Sequence, residues 1–213
     1  GVVNDRGEIL WGDTLLALFA RSVLALHPGA AVVFEVKCSR ALPEDIVRHG
    51  GRPIMWKTGH SLIKKKMRDE GALLGGEMSG HQFFADRYFG FDDALYAACR
   101  LLEIVARSPE PLSAMLDDLP RYESTPEIRV PCEDERKFEV VRAVAERFRP
   151  TNEVIDVDGA RVIFEKGWGL LRASNTQPVL VMRFEADDAG SLDMIRRAFA
   201  EALAEHIDVG GLA

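Results

Sequence analysis

Cysteine is scarce: Cys38, Cys99 and Cys132 are odd in number and none stands in CxxC spacing. That excludes a disulfide framework and a structural zinc site, and leaves a reduced, cytoplasmic setting as the expectation. No stretch offers about 18 consecutive apolar residues, and the first residues lack a signal-peptide layout, so no membrane partner is read. Basic charge is in deficit, with 27 Lys and Arg against 34 Asp and Glu and a formal net charge of -7. This disfavours a general nucleic-acid or anionic-membrane surface, so a bound anion needs a local cluster of donors. No GxGxxG follows the first buried run, which argues against a dinucleotide fold. The later strands lack the paired aromatics of an RNA-binding sheet. Internal repeats, low-complexity segments and an initiator Met are also missing. The chain opens on Gly1-Val2-Val3, turns at Asn4-Asp5-Arg6-Gly7 and returns through Glu8-Ile9-Leu10-Trp11. A hairpin whose first strand starts at residue 1 leads to the expectation that the chain is cut from something longer.

What is present is ordinary globular material, 47% hydrophobic and 29% charged over 213 residues, enough for one large domain or two smaller ones. Asp13 is placed to cap a helix from Thr14 to Leu26 with Leu15, Leu16, Phe19, Val23, Leu24 and Leu26 inward. Ala30 to Val36 reads as a buried strand, followed by a short helix over Pro43 to His49. Pro53 to Trp56 is a second strand, Ser61 caps a helix from Leu62 to Glu70 that Gly71 closes, and Ala72 to Leu74 is a third strand. This alternation predicts an α/β layer with a largely parallel sheet.

The third strand leads into Gly75-Gly76-Glu77-Met78-Ser79-Gly80-His81. Glycine allows close approach and positive φ, and a spacing of two puts Glu77, Ser79 and His81 on one side of an extended segment. Ligands of such sheets sit at the carboxyl ends of the strands. The polar residues there are Lys37, then Thr58 and His60, then Glu77, Ser79 and His81. They are expected to converge on one edge and bind a small polar molecule. Phe83, Phe84 and the segment Asp86 to Phe91 form an aromatic loop expected beneath the site, and Asp92 or Asp93 caps a helix over Ala94 to Ala106.

Prolines 111, 120 and 126 punctuate a polar stretch with a short helix near Ser113 to Leu119, and a domain boundary is expected near Arg121 to Ser124. Beyond it the pattern is a strand at Glu127 to Pro131 and a helix over Glu133 to Phe148 with Phe138, Val141, Val144, Ala145 and Phe148 inward. A hairpin through Asp158-Gly159-Ala160, strands at Trp168 to Arg172 and Val179 to Glu185, and a helix over Ser191 to His206 complete it. The fold class is therefore an α/β domain followed by a small α+β domain with an antiparallel sheet covered on one face. Between its last strands lies Arg172-Ala173-Ser174-Asn175-Thr176. Its guanidinium, hydroxyls, amide and backbone N–H groups form the donor set that a phosphate dianion needs. Lys64 to Lys66 with Arg68 read as a solvated helix face.

Taken in order, Lys37-Cys38-Ser39, Lys57-Thr58-Gly59-His60, Gly76-Glu77-Met78-Ser79-Gly80-His81 and Arg172-Ala173-Ser174-Asn175-Thr176 resemble the α-D-phosphohexomutase family, and within it the bacterial phosphomannomutase/phosphoglucomutase branch. The resemblance covers practically the whole chain and implies the third and fourth domains of four. Residues 1–8 would be the last strand of the preceding metal-loop domain. Residues 9–120 would be a mixed-sheet, sugar-binding α/β domain, and residues 121–213 a phosphate-binding domain of TATA-box-binding-protein-like α+β form. It implies interconversion of hexose 1- and 6-phosphates through a phosphoserine and a hexose 1,6-bisphosphate, with Mg2+ held upstream. Glu77 and Ser79 would bind sugar hydroxyls. Lys37 and His81 would contact the reacting end and assist proton transfer, and His60 would be a further contact. Arg172, Ser174, Asn175 and Thr176 would hold the non-reacting phosphate. Met78 would favour mannose and glucose phosphates over glucosamine phosphate.

The serine and aspartate loops of that family are not among these residues. The chain alone is therefore expected to have no mutase activity and to act as a monomer with the missing N-terminal domains and a hexose phosphate as partners. A non-catalytic sugar-phosphate-binding module is the alternative that the same residues allow.

Overall fold

The computed structural model describes residues 1–207, so residues 208–213 of the expected second domain lie outside it. Two compact units result, Gly1–Pro120 and Arg121–Ala213.

In the first unit, β1 (Val2–Val3) and β2 (Ile9–Leu10) form the opening hairpin. Asp5 ties it to the segment after α4 (Ala94–Arg107), accepting from Ser113 N at 2.9 Å and Ser113 Oγ at 2.8 Å. The main sheet runs in the order β4-β3-β5-β6-β7: Arg52–Trp56, Ala31–Glu35, Leu74–Gly76, Gln82–Phe84 and Phe91–Asp92. β3 is parallel to β4 and β5, whereas β5, β6 and β7 pair antiparallel. The sheet is thus mixed. Helical periodicity before each parallel strand is readable in the sequence; the short returning strands β6 and β7, hidden in a Phe- and Gly-rich stretch, are not.

Helices α1 (Gly12–Leu26) and α3 (His60–Glu70) cover the β3 region through separate apolar clusters. The first joins Leu16, Phe19, Val23 and Leu24 to Val32, Phe34, Leu74 and Phe84; the second joins Ile63 and Met67 to Val33 and Phe83. Alternation along β3 explains the division, because neighbouring residues of a strand point to opposite faces. Leu26, expected inward, is exposed at 62%, two positions past Leu24, the last buried residue of the stripe.

Two expected caps move. α1 begins at Gly12 after an extended Trp11, because Gly12 N donates to Met78 O at 3.1 Å and so already has an acceptor. Asp13 therefore sits inside the first turn, accepting from Thr14 N and Ser39 N. α3 begins one residue before Ser61, after Gly59 at φ 132, and ends at Gly71 in the left-handed conformation. Asp93 caps α4 through Tyr96 N. Phe83 and Phe84 are buried in β6, but Phe89 and Phe91 are exposed, so only the first two lie beneath the site. The short helix expected over Ser113 to Leu119 shrinks to one turn at Ala114–Leu116.

The second unit is an antiparallel sheet in the order β10-β11-β12-β13-β8: Glu153–Ile155, Ala160–Phe164, Gly167–Ala173, Val179–Ala186 and Glu123–Ser124. The free end of β13 also pairs with β9 (Ile128–Pro131). Leu171, Ala173, Leu180, Met182 and Phe184 point to one face, where they meet Val140, Val144 and Phe148 of α5 (Asp134–Phe148) and Ile195 and Phe199 of α6 (Ala189–Ala204). Gly169 makes room for Phe199, whose ring carbon would stand 2.5 Å from an added Cβ; this is close approach without a bulge, since the β11–β12 register is unbroken. Phe138, expected inward, is exposed at 55%. Lys137 takes the inward position instead, its ammonium satisfied by Asp134 Oδ1 at 2.6 Å and Gln177 O at 3.2 Å.

Candidate functional site

The turns at the carboxyl ends of β3, β4 and β5 do meet, as the alternation of elements requires. Between β5 and β6 the chain reverses tightly: Glu77 N donates to His81 O at 2.9 Å and Gly80 N to Glu77 O at 3.0 Å. The heptapeptide is consequently a hairpin, and the expected extended segment with three side chains on one side does not form. Its glycines divide by role. Gly75 and Gly76 are strand residues with no room for a side chain; a Cβ on Gly75 would stand 2.7 Å from Met67 Sδ and one on Gly76 2.8 Å from Gln82 Oε1. Gly80 alone supplies the positive φ, 104°, that the reversal needs.

Glu77 is buried and its carboxylate is shared, Oε1 accepting from Gly59 N at 3.1 Å and Oε2 from Ser79 Oγ at 3.1 Å. Glu77 and Ser79 are thus brought together with the turn that carries Thr58 and His60. Lys37 is buried next to Glu35, Nζ to Oε1 at 3.7 Å. His60 is exposed on the first turn of α3. His81 turns away from Glu77 toward Asp92, Nδ1 to Oδ2 at 2.7 Å, on the neighbouring antiparallel strand. Met78 packs, half-buried, against the apolar cluster under α1.

One residue of the site has no counterpart in the sequence reading. Glu35, the last residue of β3, is fully buried, and its carboxylate accepts from Thr58 Oγ1 at 2.7 Å, Met78 N at 3.2 Å and Lys37 N at 3.2 Å. Burial pushes its carboxyl above the ordinary range; the Lys37 ammonium and the Thr58 and Lys37 N hydrogen bonds pull against that, and the Glu77 charge adds to it. The signal was a lone carboxylate closing an otherwise apolar strand.

On the second unit Arg172 lies on the sheet face opposite the helices, buried, with Nε donating to Asp158 Oδ2 at 3.0 Å. Ser174 Oγ accepts from Thr176 N at 3.3 Å and Gln177 N at 3.2 Å. Of the backbone N–H groups expected to be open for a ligand, Thr176 N is therefore engaged within the loop, a Ser-turn arrangement, and Ser174 N donates to Val179 O at 3.0 Å. Asn175 and Thr176 are exposed. The basic run of α3 is a solvated face, with Lys65 on Asp69 and Lys66 on Glu70. Among the described residues no three His, Cys, Asp or Glu side chains group to hold a metal ion.

The comparisons with known proteins agree in both units. The family described as phosphoglucomutase/phosphomannomutase, alpha/beta/alpha domain III, matches residues 11–122, and its C-terminal domain matches residues 127–202. The chain is 50% identical over 200 residues to a phosphomannomutase/phosphoglucomutase of Pseudomonas syringae pv. tomato, covering 93% of this chain and 43% of the relative. It is 50% identical over 202 residues to a phosphoglucomutase of Neisseria gonorrhoeae, covering 93% and 44%. A solved phosphoglucomutase/phosphomannomutase family protein of Burkholderia thailandensis superposes with a TM-score of 0.87 at 48% identity, covering 96% of this chain and 44% of that one. The chain spans less than half the length of these relatives. It belongs to the phosphoglucomutase/phosphomannomutase family, of which it carries the α/β/α domain III and the C-terminal domain.

Proposed function

We propose that this chain supplies the sugar- and phosphate-recognition half of an enzyme that interconverts hexose 1- and 6-phosphates through a phosphoserine and a bisphosphate intermediate. The observation that carries the reading is the Glu77–Ser79 pair. A buried carboxylate that holds a hydroxyl at 3.1 Å on an exposed hairpin tip is an acceptor–donor couple suited to a sugar diol. Lys37 and His81 are the charged and titratable groups of the same unit assigned to the reacting end, and His60 is a further contact. Arg172, Ser174, Asn175 and Thr176 are assigned to the non-reacting phosphate, with the Arg172 fork anchored by Asp158. Mannose and glucose phosphates are assigned as the substrate class on the identity of Met78 alone, by the resemblance.

Mg2+ would neutralise the transferring phosphoryl group in that reaction. The described residues here do not fit it, so no step of this chain runs through the metal. What these residues can do is hold the sugar hydroxyls, fix a phosphate dianion and place a proton carrier beside the reacting end. We assign the activity to the cytoplasm and to a monomeric protein.

Isothermal titration of the chain with glucose 1-phosphate tests the reading. Binding is expected for the wild type, with at least about tenfold weaker binding for Arg172→Ala, the loss of a charge-assisted bidentate contact. Equal affinity of the two would overturn the phosphate assignment. Turnover by the purified chain, free of host enzyme, would contradict the division of labour between recognition and chemistry.

A further inference from the structure

Glu35 and Glu77 close a ring across the three turns. Thr58 Oγ1 donates to Glu35 Oε2 at 2.7 Å, and the next residue's amide, Gly59 N, donates to Glu77 Oε1 at 3.1 Å. The amide after Glu77, Met78 N, donates back to Glu35 Oε1 at 3.2 Å. Lys37 adds its own N–H at 3.2 Å and its ammonium at 3.7 Å to the same Glu35 carboxylate. None of Glu35 is exposed, so it cannot touch a sugar from where it stands. Burying a carboxylate is costly unless it is hydrogen-bonded. The donors Glu35 collects are the backbone and side chains that place Glu77 and Lys37.

We propose, on the footing of the sugar-phosphate recognition set out above, that Glu35 is a positioning residue. Its carboxyl group locks the turns after β3, β4 and β5 into the one arrangement in which Glu77 and Lys37 address the sugar phosphate. The charged groups around it are Lys37 from its own turn and Glu77 from the β5–β6 hairpin. Asp13 of α1 reaches the turn after β3, its carboxylate accepting from Ser39 N at 2.9 Å. Because burial already favours the neutral form of Glu35, the isosteric Glu35→Gln variant is expected to fold.

The test is titration of wild type and Glu35→Gln with glucose 1-phosphate and with inorganic phosphate at neutral pH. Glu35→Gln, which leaves one acceptor oxygen where Glu35 has two, is expected to bind glucose 1-phosphate at least about tenfold more weakly. Inorganic phosphate affinity should be unchanged. Thr58→Val, which removes a single donor, should show a smaller loss and decides the matter if Glu35→Gln does not fold. Failure of the wild type to bind glucose 1-phosphate would overturn the recognition reading itself. Binding by the wild type with equal affinity in both variants would overturn the positioning role alone. So would a parallel loss of inorganic phosphate affinity, since that marks a general structural effect.

Discussion

Arg172 and Asp158 form a buried ion pair across the second unit's sheet, Nε to Oδ2 at 3.0 Å with side-chain exposures of 7% and 14%. Asp158 stands in the turn between β10 and β11, and the following Gly159 lies so close that a Cβ there would be 2.6 Å from Arg172 Cβ and 2.4 Å from Leu171 O. The hairpin turn is therefore pressed against the base of the arginine and holds one edge of its fork. The carboxylate that orients the guanidinium also opposes an incoming anion. Asp158→Asn keeps an acceptor for Nε and removes the charge. It is expected to bind inorganic phosphate severalfold more tightly while losing about 1 kcal/mol of stability, the difference between a hydrogen bond to a charged acceptor and one to a neutral acceptor. Calorimetry and urea unfolding read the two; weaker phosphate binding would show that orientation outweighs charge.

The start of α1 is fitted to the sugar hairpin. An added Cβ on Gly12 would stand 2.3 Å from Glu77 O and 2.6 Å from both Met78 O and Gly80 N, all backbone atoms with no freedom to retreat. Gly12→Ala should displace the hairpin, lowering stability by roughly 2–3 kcal/mol as overpacking does and weakening glucose 1-phosphate binding. Chemical denaturation together with titration checks this. Unchanged binding in a destabilised variant would mean that the hairpin re-forms elsewhere without loss of its geometry.

The contrast between these residues and those found from the sequence has a physical basis. Buried strands such as Ala31–Glu35 and Val179–Ala186 announce themselves by apolar content, and Glu77, Ser79 and Arg172 by polar chemistry in loops between them. Gly12 carries no such signal and Gly159 signals only its turn, because what crowds each of them is a neighbour far along the chain. Asp13 looks like a cap on local grounds, yet a backbone acceptor at Met78 O moves the helix start two residues earlier. Phe138 looks inward by hydrophobicity, but Lys137 has Asp134 and Gln177 O to receive its charge and occupies that position. Local pattern identifies elements and chemistry; long-range backbone partners decide caps, hairpin returns and second-layer carboxylates such as Glu35.

Arg21 anchors the first unit from the side away from the hairpin. It donates to both oxygens of the fully buried Asp45, at 2.8 Å and 2.7 Å, and to Asp118 at 2.8 Å. Arg21→Met would leave Asp45 with Arg48 and His49 at 3.7 Å and 3.5 Å. Removing one partner of a buried pair costs about 3–5 kcal/mol, and these remaining partners place the expectation at the lower end, about 3 kcal/mol. Urea unfolding monitored on first-unit tryptophans measures it. A loss well under that figure would show that Arg48 and His49 take over the charge.

The same cluster sets a pH dependence. The Arg21 hydrogen bond holds the Asp118 carboxyl below the ordinary range against a smaller opposing effect of burial. A carboxylate depressed in the fold contributes stability that is present above its unfolded value, about 3.9, and lost as pH falls through the lower folded value. With a side-chain exposure of 57%, the contribution is that of a surface pair, at most about 1 kcal/mol. Unfolding free energies at pH 7 and pH 3 should therefore differ less for Asp118→Asn than for the wild type. Glu35 runs the other way. Raised in the fold, it contributes stability below its unfolded value that disappears as pH rises through the folded one, so ionising it in the fold costs stability. Glu35→Gln is accordingly expected to keep or gain stability relative to the wild type at high pH while losing sugar-phosphate affinity. Parallel loss of both would mean that the hydrogen bonds it receives outweigh its desolvation.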